Sequence, residues 1–417
     1  MAITAQDTKL KPGYKQTEVG VIPEDWGVSK VGTEFEIRLG KMLDAEKNTG
    51  VPKPYLGNRA VQWNRIDISD LQTMAMSRSD LERFRLRFGD LLVCEGGEVG
   101  RAAIWEAPIG ECYYQKALHR LRPLHSFNPR LMVELLRYWT DHGMLADFVS
   151  QTSIAHLTRE KFIEAPIPVP PPAEQQAIAT ALSDVDALIT SLDKLIAKKH
   201  YIKQATMQQL LTGKTRLPGF SGEWEARKLG EITQSTAGGT PSTMIEEYWG
   251  GNIKWMNSGE LNKKRIYDVE GRITEEGLKN SSTKIIPSRC ILVGLAGQGK
   301  TRGTIAINMI ELCTNQSIAA IFPSHQFIPE YLYFNLDSRY DELRSLSTGE
   351  GGRGGLNLGI INSLMIHLPS LPEQQAIASV LSDMDAEIAA LEQKRNKTLA
   401  LKQGMMQELL TGKTRLM

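Results

Sequence analysis

Two stretches of the chain place apolar residues in alternating steps of four and three. In the first these are Ile178, Leu182, Val185, Ile189, Leu192 and Ile196; in the second they are Ile377, Leu381, Met384, Ile388 and Leu391. That spacing lines one side of an α-helix and is the seam of a coiled coil. Pro170, Pro171 and Pro172 before the first stretch, and Pro369 and Pro372 around the start of the second, suit helix N-termini, where a missing amide donor costs nothing. Gly213 and Gly412, each in a TGKTRL run after the last periodic leucines, suit the C-termini. From Glu174 to Leu211 the first helix would run about 55 Å at roughly 1.5 Å per residue.

The two stretches are copies of one another. Residues 174–217 and 373–416 align without a gap at a constant offset of 199 (373 − 174). The register continues more faintly upstream: Trp26, Val31 and Gly32 answer Trp224, Leu229 and Gly230, Gln115 answers Gln316, Phe127 and Pro129 answer Phe327 and Pro329, and Leu157 answers Leu356. An internal repeat of this kind decides the fold before any motif does. Each half has a variable globular segment followed by a nearly identical helix, which is the pattern of one job done twice on two different targets. Two seams in one chain can bury their apolar faces against one another as an antiparallel pair. The alternative is that each packs on its own globular half or on a partner protein. Near-identity extends to the glutamines Gln175, Gln176, Gln374 and Gln375, whose repetition points to a shared partner surface.

The globular segments read as mixed α/β. Strand-like runs YLGNRAVQW, GDLLVCEGG and AAIWE precede a helical stretch from Pro129 to about Phe148; NIKWMN, CILVGLAG and TIAIN precede a second from Pro329 to about Leu343. Their loops hold side chains suited to base edges: amides for adenine, arginine or lysine for guanine, threonine methyls or aromatics for thymine. In the first half these candidates are Asn58, Arg59, Gln62, Asn64, Arg65, Arg101, Gln115, Lys116, His119 and Arg159. In the second they are Thr240, Ser242, Asn257, Lys300, Arg302, Asn315, Gln316, Arg353 and Asn357. Singly each is an ordinary loop residue; their weight comes from duplicated frames.

One motif points elsewhere. Gly294, Gly299, Lys300 and Thr301 in GLAGQGKT satisfy a phosphate-loop pattern. That motif needs a helix beginning at its lysine, so that amides and helix dipole converge on the phosphates. Here the continuation is RGTIAIN, whose β-branched residues favour a second strand and hence a hairpin. No NPPY-like catalytic loop or glycine-rich cofactor turn of a methyltransferase is present. No catalytic residue, cofactor or metal is therefore assigned to this chain.

Composition narrows the class further. The 417 residues carry 49 Lys+Arg against 48 Asp+Glu, a net charge of +1, which excludes an indiscriminate polyanion binder but allows cations gathered in a few loops. Four cysteines, Cys94, Cys112, Cys290 and Cys313, form no CxxC pair and read as buried small side chains. The polar N-terminus has no export signal and no apolar run reaches membrane length, so a cytoplasmic location without membrane association is expected.

These residues closely resemble the specificity subunits of type I restriction-modification systems. The resemblance is carried by PPPAEQQAIA at 170–179, LPSLPEQQAIA at 368–378, the twin endings MQQLLTGKTRL and MQELLTGKTRL, and TAGGTPST at 236–243. It implies two target recognition domains, 25–168 and 218–367, after an N-terminal arm of 1–24. It also implies two conserved helices, 169–217 and 368–417, forming an antiparallel coiled-coil spacer with internal pseudo-two-fold symmetry. By the same resemblance the partners are double-stranded DNA with a bipartite asymmetric site, two modification subunits that carry S-adenosylmethionine and methylate adenine, and restriction subunits that use ATP and magnesium for translocation and cleavage. The spacer would set the unread gap between half-sites. The main rival is a scaffold that pairs two partner proteins through its helices and reads no DNA.

Overall fold

A computed structural model describes residues 10–44, 46, 48–151, 155–297, 301–346 and 355–416. The chain divides into two compact units, Met1–Leu192 with Lys394–Met417, and Asp193–Gln393. Both are mixed α/β.

In the first unit the order of one sheet is Ala102–Ile104, Leu91–Cys94, Leu118–Pro123, Phe35–Leu39, all antiparallel. A second sheet places Val51–Leu56 between Tyr113–Tyr114, parallel to it, and Gln72–Met76, antiparallel. The strand Leu91–Cys94 is buried on both faces, which is why it reads as an unbroken apolar run. Leu91 and Val93 face a core containing Phe35, Ile37, Leu121 and the helix Pro129–Asp141, while Leu92 and Cys94 face a second core with Leu56, Trp105 and Tyr114.

The second unit repeats this plan. Its first sheet runs Ser235–Ala237, Ile318–Ile321, Ile291–Gly294, Ile305–Asn308, Arg265–Ile266, and its second Gly271–Ile273, Trp249–Met256, Leu312–Thr314, Ile285–Ile286. Trp249–Met256 pairs in parallel with Leu312–Thr314, as Val51–Leu56 does with Tyr113–Tyr114. The segment after Gly294 returns as a strand, Ile305–Asn308, antiparallel to Ile291–Gly294. The strand predicted from its β-branched residues is thus present, and residues 301–304 are not helical, whereas a phosphate loop would require a helix there; Gly299 and Lys300 lie outside the described residues. All four cysteines are buried and unpaired with one another.

The long helices span Pro172–Leu210 and Leu371–Leu409, with Pro172 and Pro372 in their first turns. Beyond their C-termini Gly213 and Gly412 adopt φ of +69° and +68°, a left-handed conformation open to glycine and strained for other residues. The expected antiparallel pairing is present in each unit. In the first, Ile178 and Leu182 share a core with Met406, Leu409 and Leu410. Lys402, buried, is held there by Asp186 at 2.7 Å and by Glu134 at 3.0 Å. In the second, Ile377 and Leu381 share a core with Met207, Leu210 and Leu211. Lys203 pairs with Asp385 and lies 5.4 Å over the Phe334 ring. Among the described residues no helix is long and apolar enough to cross a membrane.

Candidate functional site

Each unit ties two loops together at a glycine. In the first, Gly40 N donates to Leu118 O at 3.2 Å, Lys41 N to Tyr114 O at 3.0 Å and Lys116 N to Lys41 O at 2.8 Å. A Cβ on Gly40 would stand 2.3 Å from Gln115 O. In the second, Gly238 N donates to Ile318 O at 3.2 Å and Gly239 N to Thr314 O at 2.8 Å, and a Cβ on Gly238 would stand 2.1 Å from Thr314 O. Only glycine lets two backbones approach this closely, and the crossing brings Gln115 and Lys116, or Asn315 and Gln316, against the loop that follows the glycine. It also corrects the repeat register by one residue. Gln115 N donates to Leu56 O at 3.1 Å and Asn315 N to Met256 O at 3.0 Å, so Gln115 answers Asn315, and Lys116 answers Gln316.

Two clefts in the first unit adjoin this crossing. One, of about 440 Å³, is lined by Tyr55, Asn58, Arg59, Gln72 and Gln115 among others. Its polar groups are partly fixed: Tyr55 OH donates to Gln72 Oε1 at 3.0 Å, Asn58 Nδ2 to Gly96 O at 2.8 Å, and Gln62 Nε2 to Arg59 O at 2.7 Å. Arg101 supports the same turn, donating to Asn58 O at 2.8 Å while pairing with Glu98 at 3.0 Å. The other cleft, of about 720 Å³, holds the cations Arg38, Arg83, Lys116 and Arg159 and the carboxylate Glu36. Arg159, the first residue of the helix Arg159–Ile163, donates from Nε to Ile37 O at 2.9 Å. Arg38 and Arg83 are not among the residues that the sequence singles out. The signal for Arg38 lies in the alternation of Phe35–Leu39, where Phe35 and Ile37 are buried and Arg38 is exposed.

In the second unit Thr240 Oγ1 donates to Gln316 Oε1 at 2.5 Å, joining two candidates on the loops of the Gly238 crossing. Asn315 Oδ1 accepts from Ser317 N at 3.2 Å. Ser242 is exposed, and its carbonyl accepts from Trp249 Nε1 at 3.1 Å. Asn257 and Asn357 cap short helices, accepting from Gly259 N at 2.8 Å and Ile360 N at 2.9 Å. Arg302 is half-buried. Lys300 and Arg353 lie outside the described residues.

Three expectations are corrected by burial. His119 is fully buried, its Nε2 2.7 Å from Leu157 O, so it reaches no external ligand; burial pushes its ring down to about pKa 4. Gln175 and Gln374 are buried as well and form the same internal lock. Gln175 donates to Pro170 O at 2.9 Å and accepts from Asn128 N at 2.8 Å; Gln374 donates to Pro369 O at 2.9 Å and accepts from Ile328 N at 2.9 Å. They join each helix start to the entry of the helix packed beside it and face no partner. Gln176 and Gln375 remain exposed, Gln176 Oε1 accepting from Asn128 Nδ2 at 2.9 Å. Asn64, at a left-handed φ of +56°, is exposed and bridges Glu134 at 2.9 Å and Asp186 at 2.7 Å, while Arg65 is exposed on a two-residue strand.

The profile of the family described as "Type I restriction modification DNA specificity domain" matches residues 23–199 and again 221–401. The chain is 24% identical over 423 residues to the type I restriction enzyme MjaVIII specificity subunit of Methanocaldococcus jannaschii, covering 94% of both chains. It is 35% identical over 182 residues to the MjaIX specificity subunit of the same organism, covering 42% of this chain and 41% of that one. Its fold is similar to a crystal structure of a type I restriction-modification system S subunit from M. genitalium, with a TM-score of 0.61 at 16% identity over 96% of this chain and 99% of that one.

Proposed function

Since the chain belongs to the type I restriction modification DNA specificity family, we propose that it is the sequence-reading subunit of a type I restriction-modification complex, each unit taking one half of a bipartite, asymmetric DNA site. One observation carries this reading: the same frame is built twice, down to the glycine crossings at Gly40 and Gly238 and the glutamine locks at Gln175 and Gln374, while the loops around it carry different side chains. Conserved framing with divergent loops suits two reading heads of different specificity, because base edges are distinguished by loop side chains and not by the scaffold.

On this reading the chain does no chemistry. Two modification subunits would hold S-adenosylmethionine and methylate an adenine in each half-site, and restriction subunits would supply ATP- and magnesium-dependent translocation and cleavage. The exposed Gln176 and Gln375 stay candidates for partner contact, and the complex would work in the cytoplasm, where its DNA lies.

Sequencing methylated bases in genomic DNA from cells that hold the modification subunit, with and without this chain, tests the proposal. The expected result is a two-part adenine motif that vanishes with the chain. Methylation indifferent to the chain's presence would overturn it in favour of a protein scaffold.

A further inference from the structure

The cleft that holds Arg38, Arg83, Lys116 and Arg159 gathers four cations against one carboxylate, Glu36. That carboxylate is already committed: Oε1 pairs with Arg38 and Oε2 with the buried Arg120, each at 2.5 Å. The lining between the charges is apolar, from Phe35, Ile37, Leu39, Leu124 and Ile163. With Glu36 taken up by Arg38 and Arg120, the cleft keeps a positive excess over a low-dielectric wall, which focuses its field outward and attracts an anion. About 720 Å³ is too roomy for a single ion to fill and suits a stretch of polymer.

The frame itself does not require Arg38, Lys116 or Arg159, because the second unit builds the same frame without cations at these three places. Strand pairing sets Arg38 opposite Arg120 and Thr236 opposite Ala320, so Arg38 is replaced there by Thr236. The glycine crossing replaces Lys116 by Gln316. The short helices that begin after Thr158 and Asn357 replace Arg159 by Leu358. At these three places the first unit carries cations and the second neutral side chains, so the charge belongs to the first unit's loops and not to the shared frame.

We propose that this cleft seats the sugar-phosphate backbone of the DNA at the first unit's half-site, with Arg38, Lys116 and Arg159 on phosphates. The amide-lined cleft across the Gly40 crossing, with Asn58 and Gln115, then faces the bases. This rests on the reading of the chain as a DNA-reading subunit. It assigns the two clefts different work: the cationic one holds any sequence, and the other selects.

The test uses the assembled complex carrying Arg38→Gln, Lys116→Gln or Arg159→Gln, titrated over a salt series with a duplex holding the methylated motif and with a scrambled duplex. Each variant is expected to weaken both duplexes by the same factor and to make the slope of log affinity against log salt shallower by about 0.9 for each phosphate no longer neutralised, leaving the methylated motif unaltered. Arg159→Lys, which keeps the charge and drops the bond to Ile37 O, should hold the wild-type slope. Lys116 is exposed, so Lys116→Gln leaves folding intact. Unchanged slopes in complexes that methylate normally would overturn the proposal, and so would an altered motif, which would make these residues base readers. A wild-type complex with no preference between the duplexes would instead overturn the reading beneath it.

Discussion

Arg415 grips Glu174 at both ends of its guanidinium, Nε to Oε1 at 2.7 Å and Nη2 to Oε2 at 2.8 Å, although the two stand 241 positions apart (415 − 174). Glu174 also accepts from Trp26 Nε1 at 2.9 Å, and the guanidinium lies 5.8 Å over the Trp26 ring. Arg216 and Glu373 repeat the fork at 2.5 and 2.6 Å, with Arg216 5.5 Å over Trp224. In each unit the basic end of one helix copy is thereby fastened to the acidic start of the other.

Arg415→Ala leaves the nearly buried Glu174 carboxylate without its cation. Breaking a buried pair from one side is expected to cost about 3 kcal/mol, read as a lower denaturant midpoint of the first unit. Arg415→Lys restores charge but not the fork and should recover only part of it. The effect also depends on pH. Burial pushes the Glu174 carboxyl up, but the Arg415 and Trp26 hydrogen bonds outweigh burial and hold it below its usual value of 4.5. A carboxyl lowered in the folded state stabilises above its unfolded value and loses that contribution as pH falls below it, so the gap between wild type and Arg415→Ala should close in acid below about pH 4.5. A gap that stays constant into acid would show that the pair is not its source.

His119 gives a second acid dependence in a different window. Its ring, driven by burial from 6.5 to about 4, stays neutral in the folded chain while the unfolded chain takes up a proton. The unfolded state thus binds more protons between these values, so stability falls with falling pH by about 1.4 kcal/mol per unit. His119→Gln, which can still donate to Leu157 O, should flatten this slope between about pH 6.5 and 4 and leave the methylated motif unchanged. Loss of the motif with stability intact would return His119 to the reading surface.

The glutamines divide by depth. Gln175→Ala and Gln374→Ala remove a buried amide that serves one donor and one acceptor, and each should cost about 1–3 kcal/mol in denaturation. Gln375→Ala, on the exposed side, should stay within about 0.5 kcal/mol and lower affinity for the modification subunit in a pull-down titration. Equal stability losses at Gln374 and Gln375 would refute the division.

The glutamines also show where the sequence stops being informative. The helices are legible because a repeat of four and three can be satisfied only by one face of a helix, and because Gly213 and Gly412 mark their ends. Repetition of Gln175 and Gln374 suggests a shared partner, yet an internal lock made twice leaves the same trace; burial is not written in a residue's name. The clefts are less legible still. They depend on long-range strand pairs, Arg38 with Arg120, 82 residues apart (120 − 38), and Tyr55 with Tyr113, 58 apart (113 − 55), and no local pattern announces such pairing. For that reason Arg38, Lys116 and Arg159, far apart in sequence, cannot be seen there as neighbours.

Each copy of the repeated helix carries both an acid and a base, 17 positions apart (203 − 186 and 402 − 385), and Asp186 meets Lys402 as Lys203 meets Asp385. Every copy is therefore plug and socket at once. A change at Asp186 spoils the contacts with Lys402 and Asn64 and spares the twin pair of Lys203 with Asp385. The helix copies thus answer to each other across the repeat, while the loops above them differ from one half to the other on an unchanged frame.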